Sequence, residues 1–209
     1  MKGFDTSTVQ SLTNYTNAKN AGYSFVCRYY SNPGNLKNLT KAEAIDATTA
    51  GLTIAVVYET NPTHASYFTY SQGQSDCAAA VSMALSIGQY TGSVIYFAVD
   101  YDAQPVDFPA IKQYFNGIVD YMTAYANLHG SSWGIGIYGS YNVSNYIIQN
   151  VPNVGNVWQT GVWNPTNQFV DYSILQKTYN QTIPGVNGSV DIDYSNPDGH
   201  SLGDFTVYA

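Results

Sequence analysis

The chain carries fourteen acidic residues against seven basic ones, and six of the acids fall at or just past the ends of short apolar runs. Asp5 closes Lys2 to Asp5, and Glu59 closes Thr53 to Glu59. Asp100 closes Val94 to Asp100, with Asp102 two residues on, and Asp191 and Asp193 lie in Val190 to Asp193. Residues two apart on an extended strand face the same side, so Asp100 pairs with Asp102 in direction, and Asp191 with Asp193. Crowded carboxyls raise one another's pKa, so that one keeps a proton while another stays charged. Glycoside hydrolysis needs that division, with one carboxyl protonating the leaving oxygen and another stabilising the positive carbon. An oxygen-rich cluster can also hold Mg²⁺ or Ca²⁺, which makes a metal-dependent hydrolase the rival chemistry.

Other residues at the same positions extend the pattern. Arg28, the only arginine, lies at the end of Ser24 to Tyr29, where a guanidinium would hold some of the acids ionised. Tyr138, Gln159 and Gln176 end the runs Gly134 to Tyr138, Asn156 to Gln159 and Tyr172 to Gln176. With Trp163 they offer amides and flat ring faces suited to a sugar. Most of the twenty tyrosines are nonetheless expected to be packing residues. His64, His129 and His200 show no ligand spacing, and Gly139-Ser140 is no nucleophile elbow. Cys27 and Cys77 lie outside any CxxC spacing and read as two buried thiols, with one disulfide between them the alternative. Neither a metal nor a cofactor is expected.

These positions acquire meaning from the elements that carry them. The eight runs are short and apolar without polar alternation, as in parallel strands covered on both faces. Helical segments separate the first six. One starts near Ser7 or Thr8 and ends at Ala21, before Gly22; a T-x-x-E capping box at Thr40 to Glu43 opens the next, which stops at Gly51. Asp76 to Ile87, Phe108 to Leu128 and Ser140 to Gln149 follow. Between Val151 and Val190 no long helix is evident. Strand-then-helix order predicts an α/β fold, a single (β/α)8 TIM-type barrel over 1–209 with short or irregular last crossovers. In such a barrel the C-terminal strand ends form the active face, so the six acids converge on one mouth.

A formal charge of −7 leaves nothing to neutralise a row of phosphates, which argues against nucleic acid as a partner. No apolar run is long enough to span a bilayer, and no leader is recognised ahead of Gly3. A monomer is expected.

Seven segments in order carry a family likeness: Gly3-Phe4-Asp5, FVCRYY from Phe25 to Tyr30, AVVYET ending at Thr60, YFAVDYD ending at Asp102, GIGIYGSY ending at Tyr141, VWQT ending at Thr160 and VDIDY ending at Tyr194. Together they resemble the glycoside hydrolase-like barrel family, which is similar to the family-25 lysozyme-type muramidases. The resemblance implies action on bacterial cell-wall peptidoglycan or a related polysaccharide, by a secreted, cell-wall-associated or phage-released protein. By motif, Asp5 would orient substrate or partner acids, and Glu59, Asp100 and Asp102 would supply the acid and stabilising carboxylates. Asp191 and Asp193 would complete the pocket. The muramidases carry Asp-x-Glu where this chain has Asp100 and Asp102, and family-18 chitinases place a further Glu where it has Gln104. Glu59, on the neighbouring strand, is then the expected substitute proton donor, with Asp102 the other candidate and Asp100 stabilising positive charge at the reacting carbon. A hydrolase-like domain that binds glycan without cleaving it is the alternative.

Overall fold

The computed structural model describes Met1–Ala209. Its elements run β1 (Lys2–Asp5), α1 (Leu12–Asn20), β2 (Phe25–Tyr30), α2 (Lys41–Thr49), β3 (Thr53–Tyr58), a 3-10 turn (Ala65–Tyr67), α3 (Tyr70–Ile87), β4 (Val94–Ala98), α4 (Phe108–His129), β5 (Gly134–Gly139), α5 (Tyr141–Asn150), β6 (Val154–Thr160), β7 (Ile174–Gln181) and β8 (Val190–Ser195). The strands pair in chain order and close into one eight-stranded barrel. The expected α/β barrel is thus the observed architecture.

Direction departs from expectation at one strand. β1 to β7 are parallel neighbours, but β8 runs antiparallel to both β7 and β1. The cause lies in the segment between Gln181 and Val190. It holds Pro184-Gly185 and Asn187-Gly188 and has no helix. A parallel return needs a long crossover, whereas turn-forming pairs over so short a span fold the chain back as a hairpin. The link from β6 to β7 also lacks a helix, so α1 to α5 are the only crossover helices.

Helix starts follow side-chain capping. Ser11, rather than Ser7 or Thr8, caps α1 in a reciprocal box with Asn14. Thr69 caps α3 and starts it at Tyr70, ahead of the expected Asp76. Thr40 accepts the Glu43 N–H as expected of a capping box, but the Glu43 carboxylate turns inward instead of back to the cap.

The core has two compartments. One lies between strands and helices and includes Phe4, Ile54, Phe97, Phe115 and Ile137. The other fills the barrel itself with Phe25, Cys27, Val57, Tyr96, Trp158 and Ile174. Cys27 and Cys77 are buried and free. The chain after β8 crosses the N-terminal end of the barrel. Ile54 and Phe205 exchange two backbone bonds of 2.9 Å, Val94 N–H donates to the Gly203 carbonyl at 2.7 Å, and Tyr96 OH donates to the Leu202 carbonyl at 2.8 Å. That end is closed by the chain itself. α3 and α4 approach closely through two glycines: a Cβ at Gly73 would meet the Tyr114 carbonyl oxygen at 2.0 Å, and one at Gly117 the Tyr70 carbonyl oxygen at 2.1 Å.

Candidate active site

Strand alternation sorts the polar residues into those facing the barrel axis and those facing the helices. Asp5 is in register with Cys27 on β2 and opposite Asp191 on β8, while Asp193 stands opposite Gly3, one layer deeper. Because β8 is antiparallel, its first acid lies at the rim and its second in the interior. Asp193 is fully buried and Asp5 is 4% exposed, whereas Asp191 is only half-buried.

The floor of the mouth is a linked set of hydrogen bonds. Tyr29 OH donates to Asp5 Oδ1 at 2.8 Å, and Gln176 Nε2 donates to Asp5 Oδ2 at 2.7 Å. Tyr138 OH donates to Gln176 Oε1 at 3.1 Å, which fixes the orientation of that amide. Trp158 Nε1 donates to Asp193 Oδ1 at 3.0 Å, while Asp193 Oδ2 is buried with no donor. Burial pushes the Asp5 carboxyl up to about 7, against the pull of its Gln176 bond and with the charge of Asp191 adding to it. Burial, then the charge of Asp5, holds Asp193 well above the usual carboxylate range. A proton resident on Asp193 Oδ2 makes that orphan oxygen a donor, so the pair is best described as two carboxyls with one proton between them.

The rim carries a second pair. Asp100 follows β4 and Glu59 follows β3; both are half-buried. Burial raises Asp100 to about 6, the charge of Glu59 adding and that of Lys37 opposing. Lys37, on the loop between β2 and α2, forms an ion pair with Glu59 Oε1. A carboxyl that titrates near neutrality beside one that is ion-paired is an acid/base arrangement.

Four expected site residues take no part in the hydrogen-bonded floor or the rim pair. Arg28 has the opposite parity to Cys27 and Tyr29, so its guanidinium points to the helices and not into the mouth. Arg28 Nε and Nη2 bond Glu43 Oε1 and Oε2 of α2 at 3.0 and 3.1 Å, and Nη1 bonds the Thr6 carbonyl. Glu43 also accepts from Tyr15 OH and Gln10 N–H, each at 2.9 Å. This buried cluster ties the chain just after Asp5 to β2 and α2, and it does not touch the mouth acids. Gln159 likewise faces outward and holds the β6–β7 loop, donating to the Asn167 carbonyl at 2.8 Å and accepting the Phe169 N–H at 2.7 Å. Asp102 is solvent-exposed on the loop before α4. Trp163 is half-buried on the β6–β7 loop.

Several contributors have no strand-end signal. Trp158 reaches Asp193 from mid-strand, where alternation puts it on the same inner face as Tyr96. Lys37 comes from a loop, and nothing in its spacing marks it. Asp76 on α3 is a further buried acid, accepting from Tyr67 OH at 2.5 Å, Gln72 Nε2 at 2.7 Å and Tyr114 OH at 2.8 Å. It joins α3 to α4 and lies outside the mouth.

The mouth is poorly suited to a cation. The Gln176 amide N–H group points at Asp5 and reaches to 3.5 Å from Asp191, so a donor sits where a metal would need oxygens. No group of three His, Cys, Asp or Glu side chains has the arrangement of a metal site.

Comparison with known proteins agrees with the fold. FadG of Bacillus subtilis (strain 168) is 38% identical over 129 residues, covering 60% of this chain and 22% of FadG. The chain therefore spans about a fifth of that longer relative. Among solved structures, the Tat-secreted protein Rv2525c of Mycobacterium tuberculosis superposes with a TM-score of 0.72 at 18% identity, covering 96% of this chain and 98% of that one. GHIP of Streptococcus pneumoniae, a glycosyl hydrolase 25, gives 0.62 at 14% identity, covering 95% and 88%. The modular autolysin LytC of the same species, solved with a synthetic peptidoglycan ligand, gives 0.64 at 13% identity, covering 92% and 46%. The family model described as Rv2525c-like, glycoside hydrolase-like domain matches residues 16–195, and the chain belongs to that family.

Proposed function

We propose that the barrel mouth binds a bacterial cell-wall glycan of the peptidoglycan type and cleaves it by acid/base chemistry. The observation that carries this reading is Asp100, a half-buried carboxyl raised to about 6 beside an ion-paired Glu59. Asp100 donates the proton to the leaving oxygen, a role first expected of Glu59 or Asp102. Glu59, ion-paired with Lys37, stabilises positive charge at the reacting carbon. The Asp5–Asp193 pair holds the floor, and Tyr29 and Tyr138 offer ring edges to the sugar. Residues 1–209 act as one module, as a monomer, outside the cytoplasm; Tat secretion of Rv2525c and the peptidoglycan ligand of LytC support the location and the substrate class.

The test is release of reducing ends from purified Gram-positive peptidoglycan. Release falls as pH rises past about 6, because Asp100 then loses its proton. Asp100→Asn lowers it by roughly 10²–10⁴-fold, the usual worth of a general acid. Chelator leaves it unchanged. Full activity in Asp100→Asn would sink the assignment.

The exposed Asp102 favours a second reading, because the position that carries the muramidase glutamate is here shorter and turned to solvent. On that reading the domain grips glycan without cutting it. The protein then sediments with cell walls, releases no sugar at any pH, and Asp100→Asn sediments equally well.

A further inference from the structure

The loop Ser31–Asn38 carries a cation to the mouth on a braced turn. Asn35 N–H donates to the Asn32 carbonyl at 3.1 Å, Asn38 Nδ2 donates to the same carbonyl at 2.9 Å, and Lys37 N–H donates to Asn35 Oδ1 at 3.1 Å. Leu39 N–H bonds the Tyr29 carbonyl at 2.9 Å, which anchors the far end of the loop on β2. From this brace the Lys37 ammonium reaches Glu59 and lies 5.0 Å from the centroid of the Tyr29 ring, at cation–π distance. The same Tyr29 donates its hydroxyl to Asp5. Arg28 is committed to Glu43 on the other face of β2, and Lys37 is the one cation paired with a mouth carboxylate.

We propose that Lys37 is a positioning residue of this site: from its braced loop it holds the Glu59 carboxylate at the rim by an ion pair, and it brings the one paired cation of the mouth close to Asp100, just past the end of the neighbouring strand. Carboxyls at the ends of adjacent strands repel when both are charged, and a cation paired with one of them offsets that repulsion. The groups around Asp100 are Glu59 from the end of β3, Lys37 from the β2–α2 loop and Tyr138 from β5; those around Lys37 are Glu59 and the Tyr29 ring. Burial and the charge of Glu59 push Asp100 up, and Lys37 draws it down. The kinetic consequence rests on the cleavage reading above, but the effect of Lys37 on Asp100 does not.

The experiment uses the whole chain as Lys37→Met and Lys37→Arg, with the Asp100 carboxyl followed by ¹³C NMR titration and reducing-end release followed across pH on the same samples. The Lys37 side chain is half-buried, and thermal unfolding of each variant is followed alongside to show that it is folded at the temperature of the titration. In Lys37→Met the Asp100 midpoint moves up by several tenths of a pH unit, and the alkaline limb of the activity profile moves with it. Lys37→Arg restores both. Glu59→Gln moves the Asp100 midpoint the other way. An Asp100 midpoint unchanged in Lys37→Met overturns the proposal. If the midpoint moves while no form of the protein releases sugar, the Lys37 assignment stands and the cleavage reading falls.

Discussion

Asp5 and Asp193 come from opposite ends of the chain and meet out of water, where charging both is costly. Burial takes Asp5 from an ordinary 3.8 to about 7. The folded protein therefore holds this proton more tightly than the unfolded chain does. Its contribution to stability is full below about pH 4, drains as pH rises to about 7, and is gone above that. Urea midpoints should accordingly fall between pH 5 and pH 8 by the equivalent of a few kcal/mol, and Asp5→Asn, which cannot ionise, should flatten that slope; an equal slope in the variant would refute the assignment. Among single residues, the acids themselves were legible in the sequence because each sits at the end of an apolar run. Their roles were not. In the proposed reading Asp100 takes the role of proton donor expected of Glu59 or Asp102, and Lys37, the cation beside that pair, lies on a loop with no periodic signal.

Arg28 teaches the corresponding lesson for elements. Its position at the end of a strand suggested the mouth, but Cys27 and Tyr29 have the other parity, and one strand cannot send adjacent residues to the same face. Alternation was available in the sequence for this strand as it was for Asp100 and Asp102. Its partner Glu43 was hidden differently, inside a capping box that used its backbone N–H and left its carboxylate free for the core. Glu43→Gln leaves a buried guanidinium without counter-charge, and should cost about 3–5 kcal/mol in urea unfolding. The double variant Arg28→Met with Glu43→Leu should recover part of that loss, since it removes the unpaired charge but leaves Tyr15 OH, the Gln10 N–H and the Thr6 carbonyl without these partners. A double variant worse than the sum of the singles would show that the pair does more than cancel itself. The reversed strand β8 was signalled by Pro184-Gly185 and Asn187-Gly188, which mark a hairpin, but apolar content alone does not encode strand direction.

For the whole molecule, the relevant property is a formal charge of −7 on 209 residues. Acids at the mouth and few cations elsewhere make the protein repel a surface of its own sign. On cell walls carrying anionic polymers, sedimentation with the wall should rise as salt is added, because screening shortens the repulsion. On peptidoglycan stripped of those polymers the salt dependence should nearly vanish. Equal salt dependence on both would mean that the glycan-facing surface itself governs the effect. The barrel's closure was legible from eight strands in sequence, and its sealed lower end was not, since the segment after β8 has no pattern beyond its scattered apolar residues.

The reversal of β8 also sets a schedule. Asp5, Glu59 and Asp100 are all made early, but the strand that closes the barrel against β1 is the last one synthesised. Until β8 leaves the ribosome, β1 has an open edge, and Asp5 has neither Asp191 nor Asp193 beside it. Pairing the first strand with the last is the most non-local contact the chain makes, and such contacts form late and slowly. The floor of the site and the final closure of the fold are therefore a single event. A chain clipped before β8 carries Asp5, Glu59 and Asp100 but lacks Asp191 and Asp193, so the floor of the mouth is missing.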